Sequence, residues 1–188
     1  MPKLDLNLGL FIIVSVGYIA AYTMVSGFVV PLQRILLPDT SVLFSVLFLP
    51  HGIRVLAVWL LGWRGVLYVL PASYLMWAIS VFGSGVELDP ISPLISIICV
   101  YLAVFLLRRL STGTEDSLAI SDSWKQCVLA GFIASTLNGL SLGLLYGSGL
   151  DYTLMAGYTF GDIVGQIVLM LLLILIMRLV RTSHSLFS

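Results

Sequence analysis

Six stretches of this chain each run for about one membrane thickness with few or no charges. No other feature limits its fold so severely. A hydrocarbon core of about 30 Å takes roughly 20 apolar residues of helix. The stretches run from Leu8 to Val30, Ser41 to Leu61, Gly65 to Phe82, Ile91 to Leu107, Trp124 to Tyr146 and Thr153 to Leu179. Inside lipid every backbone N–H and C=O needs a partner within the protein, and a helix supplies its own. Only 10% of the 188 residues are charged, and the mean hydropathy is +1.11. A soluble domain carries about 25% charged residues. These features predict an all-α integral membrane protein, a six-helix transmembrane bundle forming a single domain over residues 1–188. Membrane lipid is its surrounding partner.

The first stretch is not followed by a small-residue cleavage site, so it reads as a retained helix and not a signal peptide. The longest connection is the polar stretch from Arg108 to Asp122. It leaves no room for a soluble output domain. With the N-terminus inside, the cytoplasmic side carries Lys3, Arg64, Arg108, Arg109, Lys125, Arg178 and Arg181, against Arg34 alone outside. That bias predicts both termini in the cytoplasm, in a bacterial inner membrane. Trp63, Trp124 and Tyr152 fall near the expected interfaces, as an aromatic belt requires. The formal net charge is zero, which speaks against a nucleic-acid partner.

Small residues recur every four positions on the fifth stretch, at Gly131, Ser135, Gly139, Gly143 and Gly147. The sixth repeats the spacing with Gly157, Gly161 and Gly165. A four-residue period lays small side chains along one stripe, which allows backbones to approach closely. The expectation is packing of these two helices on each other, or on a partner membrane protein. Gly17 and Ala21 make a weaker pair on the first helix.

Charge within the hydrocarbon costs about 3 kcal/mol on insertion scales, so Arg54 and Asp162 mark a candidate site. One expectation is that they form an ion pair. His51 lies three residues before Arg54 and can share its helix face. Tyr158, Asp162 and Gln166 are spaced by four, and Asn138 lies midway along the fifth helix. Pro50, followed by Gly52, predicts a kink or a short unwound segment in the second helix. Pro50, His51, Arg54, Asn138, Tyr158, Asp162 and Gln166 therefore form the candidate ligand or partner pocket. The plainer alternative is that these groups only cross-link helices.

Catalysis finds little support in the sequence. A single mid-membrane aspartate, with no GxSxG and no HExxH, offers no recognised nucleophile or metal site. Cys99 and Cys127 have no metal-binding spacing and read as buried thiols. The expectation is no enzyme, no metal and no cofactor. No repeated filter or charge ring suggests a channel.

The segment FLPHGIRVLAVWLLGWRGVLYVLPASYL, Phe48 to Leu75, resembles the signature of the type-one membrane-associated sensor domain. Phe48, Pro50, Gly52, Gly62 and Arg64 stand at its aromatic, proline, glycine and Gly-x-Arg places. A Gly-Asp-x-x-Gly helix is matched by Gly161, Asp162 and Gly165. The two stretches cover under a third of the chain. That family commonly has eight helices and a fused kinase, cyclase or phosphodiesterase output, neither of which is found here. His51 and Arg54 also lie outside its pattern. The resemblance implies a stand-alone sensor-like module that binds a small ligand or another integral membrane protein. Two other readings stay open: a substrate-capture subunit of an energy-coupling transporter, and a structural or assembly subunit of a larger membrane complex.

Overall fold

The computed structural model describes residues 7–38, 43–85, 87–111, 120–147 and 151–186. These form an all-α bundle of six helices: α1 (Leu8–Leu36), α2 (Leu49–Leu61), α3 (Trp63–Ser84), α4 (Ser92–Ser111), α5 (Ile120–Tyr146) and α6 (Tyr152–Leu186). All but α2 are long and apolar enough to cross a membrane, and the chain is a membrane protein. The six apolar runs thus correspond one by one to helices. Their ends differ: α6 continues well past Leu179, and α5 starts before Trp124. Most of the polar Arg108–Asp122 connection lies outside the described residues.

The start of α1, the end of α2, the start of α3 and the end of α4 share one end of the bundle. There the Asn7 N–H donates to Tyr68 Oη at 2.9 Å, and Arg108 donates to the Trp59 carbonyl. At the far end, Trp77 Nε1 donates to the Leu88 carbonyl at 3.0 Å. The Asp89 N–H donates to Tyr146 Oη at 2.9 Å. The α2–α3 connection is a single residue, Gly62, at φ 61° and ψ −135°. Only glycine takes such a backbone without strain. Gly65 then lets α3 turn back closely, since a Cβ there would lie 2.2 Å from the Ala57 carbonyl oxygen.

The second span departs from a continuous helix. Its helical part begins at Leu49, not near Ser41, and the described residues 43–48 are not helical. The break expected at Pro50 is therefore a helix start and an unwound approach, not a bend within a helix. Pro50 stands in the first turn of α2, where its missing N–H has no intrahelical partner to lose. Thirteen helical residues rise roughly 20 Å, less than a hydrocarbon core of about 30 Å, and the non-helical residues 43–48 lead into them.

Short as it is, α2 lies at the centre. Val55 and Val58 pack with Val100, Ala103, Val104, Cys127, Ala130 and Ala134 of α4 and α5. Ala57 joins Tyr18, Val69, Ala72, Met76 and Ile97. Leu49 meets Ala21, Val25 and Leu169. Neighbours surround this helix, so it can carry polar residues at membrane depth without facing lipid.

Candidate functional site

Unwound backbone inside a membrane has to find partners, and residues 43–48 find them on α1, on α6 and within the segment itself. Gln33 of α1, buried, acts as a stand-in strand: its Nε2 donates to the Phe44 carbonyl at 3.2 Å, and its Oε1 accepts from the Val46 N–H at 2.9 Å. The Phe48 N–H donates to the Gly161 carbonyl of α6 at 2.9 Å. Ser45 Oγ closes a local turn onto the Leu47 carbonyl at 3.1 Å.

The glycines of α6 make this seating geometrically feasible. A Cβ at Gly157 would meet the Phe44 ring at 2.5 Å, one at Gly161 the Ser45 carbonyl at 1.9 Å, and one at Gly165 the Phe48 carbonyl at 2.2 Å. This stripe holds the unwound segment and not α5, which corrects half of the sequence expectation. The α5 stripe does pack on α6. A Cβ at Gly131 would meet the Gln166 amide at 1.7 Å, one at Gly139 the Thr159 hydroxyl at 2.1 Å, and one at Gly143 the Met155 side chain at 2.2 Å. Ser135 belongs to the same stripe, and its carbonyl accepts from Thr159 Oγ1 at 3.4 Å. A Cβ at Gly17 would have nothing within 4 Å, so its pair with Ala21 makes no close helix contact at that end.

A cavity of ≈ 350 Å³ opens beside the unwound segment. Arg34, Leu43, Leu88, Ser92 and Tyr146 line it toward the far end, and Arg54, Asn138 and Asp162 line it in mid-bundle. Tyr18, Tyr22, Trp77 and Tyr158 contribute aromatic wall, and Ser73, Ser80 and Ser96 contribute hydroxyls. One wall carries the π-helical turn Val25–Val29, where the Val30 N–H bonds the Val25 carbonyl five residues back. Pro31 follows directly, and its ring would otherwise press on the carbonyl of Gly27 four residues earlier. A widened turn relieves that contact, and such turns are frequent at functional sites.

The predicted pocket residues divide into two sets. Arg54, Asn138, Tyr158 and Asp162 line the cavity together. Pro50, His51 and Gln166 are buried behind it. Gln166 turns toward α5, its Nε2 donating to the Cys127 carbonyl at 3.2 Å. Arg54 and Asp162 share the cavity but are not an ion pair. Arg54 Nη2 donates to Tyr18 Oη at 2.7 Å, and its guanidinium lies 5.4 Å from each of the Tyr18 and Phe48 ring centres. Asp162 pairs instead with His51, Oδ2 to Nδ1 at 3.2 Å, an ion-pair distance without hydrogen-bond alignment. The same oxygen accepts from Asn138 Nδ2 at 2.6 Å. His51 and Arg54, one helical turn apart, thus reach opposite neighbours: α5 and α6 for one, α1 for the other.

Ser135 Oγ lies 3.1 Å from His51 Nε2, which completes a serine–histidine–aspartate line. Order alone does not make a nucleophile. Ser135 has no exposed surface, and its hydroxyl donates to the Gly131 carbonyl at 2.8 Å. The line holds Asp162 in place from behind and presents no attacking oxygen to the cavity. Cys99 and Cys127 are buried free thiols, and the described residues contain no metal-binding cluster.

Compared with known proteins, the chain matches no family model, no curated protein and no solved structure.

Proposed function

We propose that this protein is a multi-pass, sensor-like module of the bacterial inner membrane with both termini in the cytoplasm. It takes a small molecule from the opposite face into its cavity and passes that occupancy to a partner membrane protein, with no catalytic step of its own. One observation carries the reading: Arg54 and Asp162, both buried at membrane depth, face a common cavity and do not neutralise each other. Intramembrane charge is expensive and marks function. The similarity of Phe48–Leu75 to the sensor-domain signature points the same way. So does the long end of α6, where Leu171, Ile174, Met177 and Val180 are all exposed and leave a helix surface for lipid or a partner.

A second reading, a substrate-capture subunit of an energy-coupling transporter, is favoured by a cavity lining that reaches Arg34, Leu88 and Tyr146 at the far end of the bundle. Gentle extraction of the tagged protein from native membranes, with mass spectrometry of proteins and small molecules, separates the two. A regulatory membrane partner supports the sensor-like module. Coupling ATPases together with a bound small molecule move the assignment to the transporter subunit. A chain recovered alone and empty counts against both.

A further inference from the structure

Among the described residues, the charges on the cavity wall are Arg34, Arg54 and Asp162. The hydrogen bonds behind Asp162 determine what its charge is available for. Ser135 has one hydroxyl hydrogen, and the Gly131 carbonyl 2.8 Å away takes it, because a carbonyl only accepts. The Ser135 oxygen therefore accepts from His51 Nε2 at 3.1 Å. The Gly131 carbonyl, 3.4 Å from Nε2, likewise only accepts. Both neighbours require a hydrogen on Nε2. On the other side of the ring, Nδ1 faces Asp162 Oδ2 at 3.2 Å. At that distance a neutral ring with its hydrogen on Nε2 would set a lone pair beside a carboxylate, and a protonated imidazole or a protonated carboxyl group removes the repulsion without a hydrogen bond between them. In either form the His51–Asp162 pair sums to zero charge.

Arg54 is then the uncompensated charge. Among the described residues no carboxylate reaches it at ion-pair distance, and Asp162 is already matched. Its side chain is 5% exposed, its Nε has no partner, and a guanidinium does not give up its proton in a protein. The two flanking rings and one phenol ease the burial but bring no negative charge.

We propose that the cavity binds a small organic anion, a carboxylate on an aromatic or amphipathic body, with Arg54 as its counter-charge. The proposal rests on the reading of the cavity as a ligand site. A volume of ≈ 350 Å³ is within the range for organic ligands, about 300–1,000 Å³, and is far more than a bare halide fills. Tyr22, Trp77 and Tyr158 offer faces for a ring. Ser73 Oγ and Asn138 Oδ1 are buried without partners, so a hydroxyl or amide on the ligand body has groups to meet. Arg34, exposed on the lining toward the far end, adds a second positive charge on the entry path.

The test is calorimetry on the full chain in nanodiscs with three probes of one shape: benzoate, benzamide and benzylammonium, with chloride as the inorganic control. Benzoate is expected to bind roughly tenfold or more tightly than benzamide, because the bond to Arg54 is charge-assisted. Arg54→Gln is expected to abolish that preference and Arg54→Lys to keep part of it. Should Arg54→Gln fail to fold, the ranking of the three probes on the wild type and Arg54→Lys still decides. Preference for benzamide or benzylammonium overturns the anion assignment and leaves a ligand site standing. Chloride competing as well as benzoate overturns the organic part. Binding of none of the probes, with chloride also silent, overturns the anion assignment and the ligand-site reading beneath it.

Discussion

The two glycine stripes have the same spacing and different occupants. Along α5, Gly131 and Gly143 face side chains of the neighbouring helix α6 at their closest contacts, while Gly139 meets the Thr159 hydroxyl and also the Met155 carbonyl at 2.7 Å. Along α6, Gly161 and Gly165 face carbonyls of a chain that is not helical at all. A period of four residues states only that something comes close. It does not say whether that something is a helix or an unwound backbone. The difference shows in the hardness of the contact. The ends of side chains can swing aside, whereas backbone held by Gln33 and by Gly161 itself cannot.

The strongest way to break this contrast is to add one methyl group to each stripe. Gly161→Ala would set its Cβ 1.9 Å from the Ser45 carbonyl, and the loss expected is about 4 kcal/mol or failure to fold. Gly143→Ala meets a flexible Met155 side chain at 2.2 Å, with backbone no closer than 3.2 Å, and about 1 kcal/mol is expected. Reversible unfolding in mixed micelles measures both. Equal losses would mean that the segment before α2 is as yielding as a side chain.

Next in size is the other anchor of that segment. Gln33→Leu leaves the Phe44 carbonyl and the Val46 N–H without their partners, at an expected cost of about 2–4 kcal/mol. The same assay reads it, and the α5–α6 contact should be untouched. Protection of the Val46 amide from hydrogen exchange should fall with it. A neutral result would show that water from the cavity replaces the glutamine.

A subtler division lies where the stripes converge, at Ser135, His51 and Asp162. A double-mutant cycle on His51→Ala and Asp162→Asn should give a coupling of about 1–2 kcal/mol, and one on Arg54→Gln and Asp162→Asn a smaller value. A larger coupling for Arg54 would restore the ion pair expected from the sequence.

That pair shows what the sequence could and could not convey. Arg54 and Asp162 stand out as charges in apolar runs, and each does lie on the cavity. Their hydrogen-bond partners depend on helix rotation, which spacing specifies only loosely. The six spans were legible because hydrocarbon leaves a helix little competition. The unwound first half of the second span was only partly so. Pro50 signalled a break, but how far it extends depends on Gln33 and the α6 glycines, which are remote in sequence. Gln33 itself carried a faint signal as an uncharged polar residue late in an apolar helix. Tyr18 and Tyr22, spaced by four in the first run, had the spacing of a shared face, yet aromatic residues on apolar helices are too common to single out.

Gly17 gives the smallest effect and the cleanest control for the stripe argument. It sits within α1 on the same kind of small-residue spacing, with Ala21 four residues on, yet nothing lies within 4 Å of where its Cβ would be. If close approach is what makes the other glycines necessary, this one is replaceable. Gly17→Ala should then gain about 0.5–1 kcal/mol, because alanine is the better helix former and loses less backbone freedom on folding. The sign matters more than the size. A loss at Gly17 would mean that an unseen neighbour, a second copy or a partner helix, presses on α1 there, and small-residue spacing would then have signalled a contact outside the chain.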